Sequence, residues 1–132
     1  MAFEAETHSI LVRVEPCYLT QESEPEENRY LWAYTINIEN RAGEEVQLIA
    51  RHWRITDGTG RCQEVRGPGV VGKQPRLKHG ETFRYTSSCP LSTPYGIMVG
   101  AYQMIRTRNG EMFEIDIPAF ALDSPHETRR AN

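Results

Sequence analysis

Tyr30-Leu-Trp-Ala-Tyr-Thr-Ile-Asn-Ile-Glu39 alternates without a break, with Tyr30, Trp32, Tyr34, Ile36 and Ile38 on one parity and Leu31, Ala33, Thr35, Asn37 and Glu39 on the other. A period of two puts successive side chains on opposite faces of an extended chain, so this run predicts a long strand with one face in a core. Asn40-Arg-Ala-Gly43 supplies the turn that ends it. Upstream, Ile10, Val12 and Val14 alternate with Leu11, Arg13 and Glu15. Downstream, Val46, Leu48 and Ala50 point one way while Trp53 and Ile55 have the opposite parity. One extra residue near Arg51-His52 reconciles them, which predicts a β-bulge or bend there.

The rest of the chain reads in the same way. Asp57-Gly-Thr-Gly60 is a hairpin turn, and Arg61 to Val65 is a short strand, polar enough for a sheet edge. Gly67 to Arg76 is a loop bearing glycine and proline, and Lys78-His-Gly80 is a turn. Phe83 and Tyr85 share a face; Pro90, Pro94 and Gly96 forbid a central strand over 89–96. Met98, Gly100, Tyr102 and Met104 form another face, Arg108-Asn-Gly110 turns, and Phe113, Ile115 and Ile117 return. Pro118 then breaks the parity, because Phe120 and Leu122 sit on even positions. No window carries a helical i, i+3, i+4, i+7 pattern. About seven short strands with turns between them predict an all-β fold, an antiparallel β-sandwich. Trp32, Tyr34, Ile36, Trp53, Phe83, Tyr85, Tyr102, Phe113, Ile115 and Ile117 are its expected inward side chains.

A chain of 132 residues suits one domain over 1–132, with an acidic exposed loop at about 21–28 and a frayed tail at about 125–132. With 39% hydrophobic and 25% charged residues the composition is that of a soluble globular protein. The longest stretch free of charged and strongly polar residues, Gly96 to Tyr102, is far short of a membrane helix. Met1-Ala-Phe-Glu-Ala-Glu lacks the basic start and apolar run of a signal peptide, so a cytoplasmic location without membrane insertion is expected. Cys17, Cys62 and Cys89 are odd in number and widely spaced, which argues for reduced thiols over disulfides or structural zinc.

The formal net charge of −3 hides an asymmetry. Residues 1–28 hold seven acids and one base, whereas residues 51–84 hold eight bases (Arg51, Arg54, Arg61, Arg66, Lys73, Arg76, Lys78, Arg84) against Asp57, Glu64 and Glu81. Guanidinium forks suit carboxylates and phosphates, so the second segment is either a solvated strand face or a surface for an acidic partner or small anion. The sequence pI near 5.8 and the lack of an aromatic-basic motif point away from nucleic acid.

Gly67-Pro-Gly-Val-Val-Gly72 matches GxGxxG, the pattern that seats pyrophosphate where a strand opens into a helix. The following Lys73-Gln-Pro-Arg76 starts no helix, so the glycines read first as a tightly curved loop. Loop N–H groups beside Lys73 and Arg76 would still form a small anion nest. His8, His52, His79 and His126 show no metal-ligand spacing, and Ser87, Ser88 and Cys89 no nucleophile motif. The expected contact surface is therefore Arg51, Arg66, Gly67, Gly69, Gly72, Lys73, Gln74 and Arg76, with no catalytic residue, metal or cofactor assigned.

Taken together, Trp32-Ala-Tyr-Thr-Ile36, Arg51-His-Trp-Arg-Ile-Thr-Asp57, Glu64-Val-Arg-Gly-Pro-Gly-Val-Val-Gly-Lys-Gln-Pro75, Tyr85-Thr-Ser87 and Phe113 to Leu122 resemble the bacterial ApaG family. The resemblance spans roughly residues 8–125 and implies an immunoglobulin or fibronectin type III-like sandwich. It also implies a link to cobalt resistance and magnesium efflux, while related eukaryotic domains look like protein-interaction modules. The expectation that follows is a non-enzymatic binding module whose partner is another protein, with a homodimer possible on open sheet edges. Two alternatives stand beside it: a small-anion or nucleotide (pyrophosphate) binding protein using the GxGxxG-like loop, and a divalent-metal-responsive protein.

Overall fold

The alternating run is a strand over its whole length, Tyr30–Asn40, with every even-numbered side chain buried. The structure is a computed structural model that describes residues 1–126. Among these residues there are nine strands: β1 Phe3–Thr7, β2 Ile10–Tyr18, β3 Tyr30–Asn40, β4 Val46–Asp57, β5 Cys62–Pro68, β6 Arg76–Leu77, β7 Thr82–Leu91, β8 Gly96–Arg106 and β9 Met112–Leu122. They pair in antiparallel fashion into two sheets, β1-β2-β3-β7 and β5-β4-β8-β9, with the short β6 added to β4 beyond β5. Set β1 aside and the seven remaining long strands give the expected sandwich, three against four. No helix among the described residues is long and apolar enough to cross a membrane.

Eight of the ten expected inward side chains are buried, and Phe83 and Phe113 pack half-buried against the core. Trp53, Tyr34 and Phe120 meet at its centre, with ring centroids 5.6 to 5.9 Å apart. Such tilted and edge-to-face pairs add to the burial energy of the rings.

The position of the first bulge and the reading of the N-terminal segment need correction, while the parity break at Pro118 holds. The bulge in β4 lies at Ile49, where the register against β8 slips between Leu48 and Ala50, and not at Arg51-His52. From Ala50 onward the odd residues face inward, so Arg51 shares the parity of Trp53. A bulge in β9 opposite Val99 absorbs the parity break at Pro118, since Met98 pairs with Phe120 and Gly100 with Ile117. The N-terminal β1, which the sequence reading left unassigned, is an edge strand whose Glu4 and Glu6 ion-pair with Arg13 and Arg41 at 3.0 and 3.1 Å. Charges on an edge mask its strand pattern and protect it from stray pairing.

Pro90 lies in β7, at the free edge of its sheet, where a missing N–H breaks no ladder bond. The acidic stretch 21–28 is exposed for the most part, with a short 3-10 turn at Pro25–Glu27. Of the expected frayed tail, 127–132 lie outside the described residues. His126 is docked, its ring 5.9 Å from Tyr18 and 6.1 Å from Tyr30.

Asn40 is fully buried and, aromatic residues aside, is the one buried polar side chain among the described residues. Its amide donates to Glu44 O at 2.8 Å and Leu77 O at 2.9 Å, and its oxygen accepts from the Ala42 N–H at 2.9 Å. These bonds fix the crossing from β3 to β4 and tie β6 to the same corner. Asn40→Ala leaves two carbonyls and an N–H without partners and is expected to cost about 1–3 kcal/mol in urea denaturation. Asn40→Asp, which sets a carboxylate against those carbonyls, is expected to cost no less; a neutral Asn40→Ala would remove this corner from the account.

Candidate functional site

The bulge at Ile49 determines where the glycine loop sits. A bulge leaves one residue out of the ladder, and here β5 ends opposite Ala50 while β6 begins opposite Gln47. The segment between them supplies the missing bonds. Gly69 N–H and the Gln74 side-chain amide both donate to Ile49 O, at 2.8 and 2.9 Å, and Leu48 N–H donates to Pro75 O at 3.0 Å. The Gln47 amide returns a bond to Gln74 O at 3.1 Å. β5 and β6 thus act as one interrupted partner strand, and Val70 to Gln74 is the excursion between them.

That excursion is a miniature hairpin. Val70 and Lys73 exchange N–H to carbonyl bonds at 2.8 Å in both directions. Val71 and Gly72 between them have φ of 44° and 78°, the two positive values of a type I′ turn. Val70 is fully buried and anchors the loop to the core, whereas Val71 is 52% exposed. A β-branched residue in the left-handed region is strained, and such strain persists only where the surroundings impose it.

One of the motif's glycines is required by close approach, and a second lies under a side chain that would have to shift by a few tenths of an ångström. At Gly67 a Cβ would lie 3.1 Å from Arg51 Nη1, because the guanidinium lies across this residue; at Gly69 it would lie 2.3 Å from Lys73 O. No helix follows Gly72, since the chain passes into β6. The N–H groups of Gly69, Val70 and Lys73 all donate to protein carbonyls.

The proposed contact residues separate into two groups. Gly67, Gly69, Gly72 and Gln74 shape the loop. Arg66, Lys73 and Arg76 are exposed; Arg66 lies 3.4 Å from Glu64, while Lys73 and Arg76 have no ion pair among the described residues. Arg51 belongs to neither group as the sequence drew them. It is half-buried under the loop, where Nη1 donates to Pro68 O at 3.1 Å and Gly69 O at 2.9 Å.

Around Arg51 lies a cluster that sequence reasoning missed. Tyr34, Tyr85 and Tyr102 come from β3, β7 and β8, and all three phenols feel the Arg51 charge. The Tyr85 and Tyr102 hydroxyls bond to each other. Burial pushes Tyr34 up, opposed in part by the Ser87 hydroxyl beside it. Burial pushes Tyr85 and Tyr102 further up still. Cys89, at the far end of the same flank, is pushed up to about 11 by burial. The available signal was tyrosine at inward positions of three strands, because a buried hydroxyl needs a partner that phenylalanine would not.

Elsewhere, His52 Nε2 lies 3.4 Å from Glu64 Oε2 on the outer face of the second sheet. No group of three or more His, Cys, Asp or Glu side chains placed to hold a metal occurs among the described residues.

Comparison with known proteins agrees with the resemblance. The ApaG domain model matches residues 20–106. A Methylorubrum extorquens protein called Protein ApaG is 60% identical over 127 residues, covering 96% of this chain and 97% of the relative. A Rhodospirillum centenum protein of the same name is 60% identical over 126 residues, covering 96% of each. The crystal structure of an ApaA protein from Bordetella pertussis superposes with a TM-score of 0.86 at 47% identity, covering 93% of this chain and 99% of that one.

Two predictions follow from this geometry. Gly69→Ala meets both a positive φ and the Lys73 carbonyl, and should cost about 1–3 kcal/mol. Val71→Asn, which tolerates the left-handed region, should gain up to about 1 kcal/mol in the same denaturation assay. A loss for Val71→Asn would mean that the valine side chain, and not the turn, holds the loop. The second concerns pH. The three phenols are held protonated in the folded state above their ordinary value near 10. Their contribution to stability is complete below that pH and is lost as the pH rises past it, because the unfolded chain releases its protons first. Ultraviolet phenolate titration should show Tyr34, Tyr85 and Tyr102 ionising above the ordinary range; ordinary titration of all three near about pH 10 would contradict the burial of the cluster.

Proposed function

The chain belongs to the ApaG family, and on that premise we propose that it is a non-enzymatic cytoplasmic binding module whose contact surface is the glycine loop. Its partner is another protein, which offers an acidic segment to Arg66, Lys73 and Arg76. One observation carries this reading: the loop spends its hydrogen-bonding groups on β4 and within its own hairpin, and turns its cations toward solvent. Ile49, Val70 and Lys73 carbonyls take up loop N–H groups, while Lys73 and Arg76 stand exposed at a sheet edge. A rigid scaffold that presents a shaped loop is a common basis of recognition.

Charge supports the choice of partner. The eight bases of residues 51–84 face three acids in the same segment, and a positive surface speeds association with an acidic one. The link to cobalt resistance and magnesium efflux implied by the resemblance is read as an effect exerted through this partner. No catalytic role is assigned to any residue.

The test is an affinity capture with wild type and Lys73→Glu/Arg76→Glu as paired baits. Both side chains are exposed, so the double variant should melt within about 0.5 kcal/mol of wild type. It should lose the captured acidic partner, and wild-type capture should weaken as salt rises. Equal capture by both baits would remove the loop from the contact surface.

A further inference from the structure

The flank between β5 and β7 is the open side of the sandwich. On the opposite flank β1 and β9 close it, with Phe3 and Phe120 in contact and Asp116 N–H bonded to Thr7 Oγ1 at 3.1 Å. On the open flank two adjoining hollows of about 190 and 270 Å3 share Tyr34, Arg51, Trp53 and Ser87. The first lies beneath Val70 to Gly72 and is also lined by Tyr85; the second runs along Ile55, Val65 and Met98 toward Cys89.

The chemistry of the first hollow is one-sided. Arg51 brings a half-buried charge with no carboxylate paired to it among the described residues. Backbone carbonyls engage only its Nη1. The Tyr102 hydroxyl is buried and meets Tyr85, where either oxygen can be the donor; donation by Tyr102 is the arrangement that leaves no buried proton without a partner. That leaves the Tyr85 proton for the hollow. Tyr34 and Ser87 are register partners on β3 and β7, and both line the hollow with their hydroxyl-bearing side chains. The result is a guanidinium and the hydroxyls of Tyr34, Tyr85 and Ser87 around one small space, which is a donor set for an oxyanion. The second hollow carries on from it with Trp53, Ile55, Val65 and Met98, an apolar wall.

We propose that this cleft binds a small amphipathic molecule, its oxyanion held by Arg51, Tyr34, Tyr85 and Ser87 and its apolar body laid along Trp53 toward Met98. The site is separate from the exposed loop cations and independent of the partner reading above. Its anion contacts are side chains and not the loop N–H groups.

Phenyl phosphate is the probe, with inorganic phosphate and phenol as its two halves, followed by 1H–15N correlation spectra of the full chain. Phenyl phosphate should give saturating shifts at the Trp53 indole and at the amides of Ser87 and Gly72. Inorganic phosphate should bind more weakly, and phenol without saturation. Tyr34→Phe/Ser87→Ala, which leaves the Arg51 bonds to the loop in place, should weaken phenyl phosphate roughly tenfold. Arg51→Lys should do the same with the charge retained, through loss of the fork. The Lys73→Glu/Arg76→Glu variant, which breaks the proposed partner surface, should keep the affinity within about twofold. Absence of saturation with wild type, or equal affinity for Tyr34→Phe/Ser87→Ala, would overturn the site. Inorganic phosphate binding as tightly as phenyl phosphate would overturn the apolar half, and a parallel loss in the loop variant would overturn its separateness.

Discussion

The Ile49 carbonyl is the group on which the loop side of this molecule depends. The register slip takes Ile49 out of the β4–β8 ladder, so its carbonyl is bonded from the loop side instead. Gly69 N–H and the Gln74 amide reach it together, and that requirement sets the path of the chain from β5 to β6. Gly69 is a glycine because this path brings it against Lys73 O with positive φ. Arg51 lies across Gly67, where a Cβ would press on its guanidinium at 3.1 Å. The GxGxxG spacing is thus the trace of a strand interrupted by a hairpin, with no helix behind it.

The same bulge places Arg51. With one residue inserted at Ile49, the odd positions of β4 turn inward, and an arginine falls on the face that also holds Trp53 and Ile55. It stops short of the core by laying its guanidinium under the loop, where carbonyls of Pro68 and Gly69 accept from it. Arginine suits this position better than lysine, because a planar fork serves two carbonyls and still presents further N–H groups. The three tyrosines gather where that charge reaches the open flank.

The sheets were legible from alternation because one face of nearly every strand is buried, and burial enforces period two. The run from Tyr30 to Glu39 is the clearest case. β1 escaped because an edge strand guarded by glutamates leaves one face exposed and the other only half-buried. The bulge was legible as a count but not as a place: parity demands one extra residue between Leu48 and Trp53, and Ala50 is too small to say which side of it. Only bonding to a loop about twenty residues downstream selects Ile49. For the same reason Arg51 read as a surface cation in the sequence. The loop's rigidity was readable from Pro68, Pro75 and three glycines, whereas the tyrosine cluster required three strands to be brought together first.

The central claim is that the glycine loop is a fixed shape held by β4 and not a flexible connector. Backbone 15N relaxation on Gly69 to Lys73 tests it most directly. The bonds to Ile49 and the Val70–Lys73 pair predict order parameters of about 0.85, equal to those of the flanking strands. Values below about 0.6 across Val70 to Gly72 would contradict the account, since a loop that moves on that timescale could not be held by the Ile49 carbonyl.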